Sequence, residues 1–270
     1  MIGIIGLGFV GTAMHSSFLS LNINVIGYDK FKNGGIGTFE DVIKTNILFL
    51  CLPTPYNSTA HEYDKSAIYD TCHLLVKSNY TGVVVIKSTI EIATINFLES
   101  NFPLNYVHNP EFLTARTANE DFHNQTHIVL GRSSIISDDK YNDLINFYHT
   151  NYPNAKISTC LASESESMKL FCNCFYSVKI QFFNELYLLC NKMNIDYNNV
   201  KNLMLANNWI NPMHTNVPGP DGLLSYGGLC FPKDTNALNE LMKLQETPNK
   251  VIDAVIKERD EMRSDKDNCY

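Results

Sequence analysis

No apolar stretch of this 270-residue chain reaches the roughly 18 residues that a membrane-spanning helix needs. No basic segment with a cleavage site precedes the first strand-like run, so neither a membrane span nor a secretory leader is expected. Cys-x-x-Cys pairs are absent from the 8 cysteines, and the 8 histidines are scattered without ligand spacing, which leaves a metal site without support. Basic residues are in deficit: 21 Lys and Arg face 28 Asp and Glu, a formal net charge of -7. That balance argues against broad binding to nucleic acid or an anionic membrane, and leaves room for an anionic small molecule held by a few lysines. Internal repeats and low-complexity tracts are also missing. What is present, 44% hydrophobic and 18% charged residues, is the composition of a folded globular protein with a sizeable core. Cysteines in apolar settings, such as Cys51 in ILFLCLP and Cys190 in LYLLCNKM, fit buried thiols in a reducing, cytoplasmic compartment.

The first half alternates short β-rich runs with helical stretches. Strands are predicted at 2–5, 24–28, 47–52, 82–86, 105–108, 127–130 and 155–158, and helices at 12–21, 39–44, 65–76, 94–100 and 139–150. Continuously apolar strands between helices predict an α/β fold with a doubly wound, Rossmann-like parallel sheet over residues 1–160. Residues 161–270 differ. The segment 163–191 lacks Gly and Pro and predicts one long helix; 212–228 is rich in Pro, Gly, Asn and Asp and predicts a loop. Shorter helices are predicted at 198–206, 234–245 and 250–262.

The run Gly6-Leu7-Gly8-Phe9-Val10-Gly11 joins the first strand to the first helix. Glycines there permit a tight turn and let a pyrophosphate approach backbone N–H groups at a helix N-terminus. Asp29 closes the second strand, about 20 residues on, where a carboxylate accepts from ribose hydroxyls and repels a 2′-phosphate. The carboxylate favours NAD over NADP, with Lys30 and Lys32 nearby as opposing charges. Thr54 and Thr89 follow the third and fourth predicted strands and are candidates to line the nicotinamide side; Ser88 and Thr89 also suit a helix cap.

Three later segments carry chemistry. Glu111 lies in Asn109-Pro110-Glu111-Phe112-Leu113, between a proline and two apolar residues. Lys169 and Asn173 are four apart on the long helix and share a face, where they either meet solvent or hold an oxyanion. The sharpest is Gly227-Gly228-Leu229-Cys230-Phe231-Pro232-Lys233-Asp234. Paired glycines bring backbone close to a ligand, and a nearby Lys favours the thiolate of Cys230, the form that attacks. Cys230 could instead be a buried thiol, with Asp234 as a helix cap.

The ordered set GLGFVG, PTP, KST, NPEFL, KLFCNCFYSVKIQFFNE and GGLCFPKD, running from Gly6 to Asp234, resembles the UDP-glucose/GDP-mannose dehydrogenase family, its UDP-glucose 6-dehydrogenase branch most nearly. The resemblance implies an NAD-dependent oxidoreductase that takes the C6 alcohol of a nucleotide sugar to the carboxylate, as in UDP-glucuronate synthesis for polysaccharides. It implies Cys230 as nucleophile, through a thiohemiacetal and a thioester. Lys169 and Asn173 would stabilise oxyanions, Asp234 and Thr89 would position a water, and Glu111 would assist hydrolysis. Phe112, Leu113, Tyr226 and Gly227 would lie near the substrate. The family's middle helix forms its subunit interface, which implies a homodimer through the apolar run Phe171–Leu189.

Members of the family add a second α/β domain that grips the nucleotide. The residues after Asp234 have room for two helices and not for that domain, so the uridine pocket is expected to be reduced, supplied by a partner subunit or lost. An Arg that many members carry before the Cys loop has no counterpart; Asn211–Pro220, with His214, stands in its place. UDP-N-acetylglucosamine and GDP-mannose are alternative substrates. The rival readings are a β-hydroxyacid dehydrogenase, which needs no Cys, and an inactive NAD-binding module.

Overall fold

The computed structural model describes residues 1–114 and 116–263. The chain runs β1 (Ile2–Ile5), α1 (Phe9–Ser20), β2 (Val25–Tyr28), α2 (Phe39–Val42), β3 (Ile47–Leu50), β4 (Tyr56–Asn57), β5 (Glu62–Tyr63), α3 (Ser66–Lys77), β6 (Val83–Ile86), α4 (Thr94–Asn101) and β7 (Asn105–His108). It continues through α5 (Ala118–His123), β8 (His127–Arg132), α6 (Asp138–Asn151), β9 (Lys156–Leu161), α7 (Ala162–Lys192), α8 (Tyr197–Leu205), α9 (Phe231–Leu244) and α10 (Lys250–Met262). It divides into two units: Met1–Thr54 with Asp64–Lys169, and Pro55–Tyr63 with Leu170–Tyr270. No helix among the described residues is long and apolar enough to cross a membrane.

The first unit is a seven-stranded sheet in the order β2-β1-β3-β6-β7-β8-β9. Runs such as ILFL in β3 and VVVI in β6 are buried at every residue because helices cover both faces. The register places Ile5, Leu50, Ile86 and His108 in one row across β1, β3, β6 and β7. Their successors Gly6, Cys51, Lys87 and Asn109 therefore leave the sheet along one edge, where open α/β sheets bind ligands. On one face Phe18 of α1 packs against Phe49, Phe122 and Phe147, with ring centroids 5.5–5.8 Å apart.

Three features depart from the sequence reading. The sheet is mostly parallel, but β7 and β8 pair antiparallel. After β7 the chain lays α5 beside α1, then re-enters the sheet from the edge it left, which only an antiparallel neighbour permits. The short helix α5 and the two-residue strands β4 and β5 carry too few residues to show a period, and the sequence reading has none of them. The helix after β6 also starts later than a cap at Ser88 or Thr89 requires. Its N-cap is Ala93, with φ 73°, and Glu166 supplies the missing acceptor to Ala93 N–H at 2.7 Å and Ile95 N–H at 2.8 Å. Burial pushes the Glu166 carboxyl up to about 7, against the opposing pull of those two N–H groups.

In the second unit Phe183, Cys190 and Tyr197 form a small core between α7 and α8. Tyr56 and Tyr63 of the β4–β5 hairpin pack with Ala237 of α9.

Candidate active site

The glycine turn divides its labour by geometry. Gly6 has φ 89°, and a Cβ there would lie 2.4 Å from the Cys51 carbonyl oxygen; one at Gly11 would lie 1.9 Å from that of Gly6. These two glycines close the turn onto the sheet. A Cβ at Gly8 would meet nothing within 4 Å, so open space faces the N-cap of α1, where backbone N–H groups are unsatisfied. Phe9 in the first turn is exposed, and Val10 packs against the core. Asp29 accepts from Leu7 N–H at 2.7 Å, from Lys32 N–H at 2.9 Å and from Phe31 N–H at 3.0 Å. Burial raises its pKa, but these donors and the Lys32 charge outweigh burial and hold the carboxyl below its ordinary value. The Lys32 ammonium turns inward, donating to the Leu7 carbonyl at 2.5 Å and to Thr12 Oγ1 at 2.9 Å. It is committed to the turn, and so offers no ready counter-charge for a 2′-phosphate. A pocket of about 330 Å³ lies beside it, lined by Leu7, Thr12, His15, Gly27, Lys32, Asn33 and Ile36.

Farther along the same edge, Thr54 and Thr89 are both buried, and the Thr54 hydroxyl donates to the Thr89 carbonyl at 2.8 Å. The Lys87 ammonium, also buried, donates to Asn109 Oδ1 at 3.0 Å and to the Pro110 carbonyl at 3.3 Å. Burial brings Lys87 down to about 8, while Cys51 and Glu111 pull the other way. It fixes the backbone that presents Glu111. Lys169 Nζ donates to the Glu111 carbonyl at 2.6 Å, stands 3.3 Å from its carboxylate and lies 5.3 Å from the Phe112 ring centroid. The other carboxylate oxygen of Glu111 accepts from Leu113 N–H at 2.6 Å. Glu111, Phe112, Leu113 and Lys169 thus form one cluster in the first unit.

In the second unit Cys230 is exposed and sits at the N-cap of α9, whose positive end favours a negative charge there. The alternative of a sealed thiol does not hold. Asp234 lies in the first turn and is fully buried. It accepts from Asn173 Nδ2 at 2.6 Å and from Lys233 Nζ at 2.6 Å. The Lys233 charge is therefore spent on Asp234. Lys169 and Asn173 are each only 5% exposed, so the solvated-face reading of that pair fails.

The loop ahead of Cys230 is held by two arginines of the C-terminal end. Arg263 donates to the Leu224 carbonyl at 3.0 Å and to Asp221 at 2.6 Å; Arg259 donates to the Tyr226 carbonyl at 3.3 Å. A Cβ on Gly227 would come within 2.4 Å of the Arg263 guanidinium, and Gly228 has φ 77°. The Tyr226 side chain is buried, with its hydroxyl 3.4 Å from Thr235 Oγ1. Its backbone, and not its ring, is what this loop presents. His214 packs at a tilt against Tyr176 and edge-on against Phe231, at centroid distances of 5.0 and 5.6 Å. Burial lowers its pKa, helped by the Lys179 charge.

Residues 36–149 match the signature of the UDP-glucose/GDP-mannose dehydrogenase family NAD-binding domain, and residues 163–260 that of its central domain. The chain belongs to this family. It is 32% identical over 236 residues to a UDP-glucose 6-dehydrogenase of Rickettsia bellii, covering 84% of this chain and 52% of that one. It spans about half the length of that relative. Its fold is similar to a UDP-glucose dehydrogenase from Pyrobaculum islandicum, with TM-score 0.81, 21% identity, and coverage of 96% and 68% of the two chains. It is similar also to a 3-hydroxyisobutyrate dehydrogenase from Mycobacterium tuberculosis, with TM-score 0.73, 15% identity, and coverage of 96% and 92%.

The family's cofactor is NAD, and the residues here fit it: the Gly8 opening suits a pyrophosphate and the Asp29 carboxylate a ribose diol. Tyr63, Arg259 and Arg263 are absent from the sequence reading, and Lys87 has no role of its own in it. Lys87 stood in the KST segment and carried a signal, as a charge inside a strand-end motif. The arginines and Tyr63 lie outside every motif of the family quoted above.

Proposed function

We propose that this chain oxidises the C6 alcohol of a nucleotide sugar to the carboxylate with NAD, UDP-glucose being the first candidate, and that Cys230 is the nucleophile. One observation carries the reading: an exposed thiol at a helix N-terminus, followed within one turn by a buried Asp bonded to Asn173. NAD, held at the Gly8 opening and Asp29, would supply the hydride acceptor, one molecule for each of the two oxidations. Between them the Cys230 sulfur adds to the aldehyde carbon, and the carbonyl π electrons move onto oxygen. Lys169 and Asn173 stabilise that oxyanion. The second oxidation leaves a thioester. Water, oriented by Asp234 and Thr89 with help from Glu111, attacks its carbonyl; the C–S bond breaks and the thiolate departs.

The test is a count of NADH per sugar with UDP-glucose, UDP-N-acetylglucosamine and GDP-mannose. Two NADH and one nucleotide uronate per sugar are expected from one of the three. One NADH from a β-hydroxyacid and none from any sugar would favour the reading that the 3-hydroxyisobutyrate dehydrogenase likeness suggests. NAD binding without turnover of either would leave a binding module.

We also infer a homodimer working in the cytoplasm. Phe171, Phe175, Phe182 and Leu189, spaced by 4 and 7 residues along α7, are 49–62% exposed. An apolar stripe of that kind needs cover. Light scattering should give twice the chain mass, and Phe175→Lys should give the chain mass; a monomeric wild type would overturn the inference.

A further inference from the structure

Asp234 is fully buried, and an ionised carboxylate in such a place must be met by donors. Asn173 and Lys233 supply two, and a third comes from outside the motifs. The Tyr63 hydroxyl, on β5, donates to Asp234 Oδ1 at 2.5 Å, the oxygen that also accepts from Lys233; Asn173 holds Oδ2. The Lys233 ammonium lies 4.0 Å from the Tyr63 ring centroid. Tyr63 is itself buried, braced by the Tyr56 ring at 6.4 Å and by Ala237. One side chain thus makes a hydrogen bond to the acid and a cation–π contact to its counter-ion.

We propose that Tyr63 is a positioning residue for the oxidation proposed above, and the inference rests on that reading. A carboxylate only accepts, so its bond to Asn173 Nδ2 decides which end of that amide faces Asp234 and where the second N–H points. Tyr63 prevents the carboxylate from rotating about its Cβ–Cγ bond. It therefore aims the Asn173 amide at the oxyanion without touching substrate. Loss of the hydroxyl leaves Oδ1 with one mobile ammonium, and the amide loses its aim.

Tyr63→Phe keeps the ring and the packing and removes only the hydroxyl. The expected result is a kcat about ten-fold lower, as for loss of one hydrogen bond to a charged group, with KM for NAD and sugar within about two-fold. A merely structural role would lower Tm and leave kcat per folded molecule unchanged. In an Asp234→Asn background the same change should cost little more, because the coupled pair is already broken. Independently of turnover, a proton NMR resonance far downfield should report the short hydroxyl bond, vanish in Tyr63→Phe and move in Asp234→Asn. An unchanged kcat in Tyr63→Phe, or no such resonance in the wild type, would overturn the positioning role. A wild type that shows the resonance and oxidises no nucleotide sugar would sink the activity and leave the Tyr63–Asp234 contact standing.

Discussion

Cys230→Ser should stop net acid formation, with steady-state uronate production falling on the order of 10³-fold or more. The substitution changes one atom on an exposed side chain, so its effect on stability should stay within about 0.5 kcal/mol. The reason for so large a chemical loss is acidity. A thiolate is the nucleophilic form of cysteine and forms far more readily than an alkoxide does from serine, and Lys233 and Asp234 are already bonded to each other. The first oxidation needs no covalent bond, so the variant should release at most one NADH per sugar and accumulate aldehyde. Mass spectrometry of wild-type enzyme quenched during turnover should find the sugar on the Cys230 peptide. Full acid formation by the serine variant would exclude covalent catalysis.

Gly8→Ala and Gly11→Ala should separate folding from cofactor binding. At Gly11 the added methyl would stand 1.9 Å from the Gly6 carbonyl oxygen, and neither partner can yield without moving backbone. The expected cost is about 3 kcal/mol, seen as a fall in Tm of roughly 10 °C. At Gly8 the methyl enters open space, and stability should change by about 0.5 kcal/mol or less. That space faces the unsatisfied N–H groups of α1, so NAD affinity should fall by at least about ten-fold when measured by calorimetry. If Gly8→Ala bound NAD as tightly as wild type, the pyrophosphate would have to lie elsewhere.

Local pattern made much of this visible before any coordinates. The strands of the first unit are short apolar runs bounded by polar residues, and the long helix has no breaker for 29 residues after 162. Cys230 and Asp234 were legible because four residues at a helix start place both in one turn. Other features depend on partners remote in sequence. Lys169 and Asn173 looked like a solvated face until Glu111 and Asp234 came to cover them. Tyr63 reaches Asp234 across 171 positions, and no local period encodes that. The direction of β8 hinged on where six residues of α5 settled.

The grip of Arg259 and Arg263 on the Asp221–Tyr226 segment changes the standing of the end of α10. It is scaffold for the loop that carries Cys230, although it lies some thirty positions downstream. Proteolytic trimming or a fusion junction placed ahead of Arg263 would therefore slacken the thiol's seat while leaving the dinucleotide fold whole, and a preparation so clipped would still hold NAD yet turn over poorly.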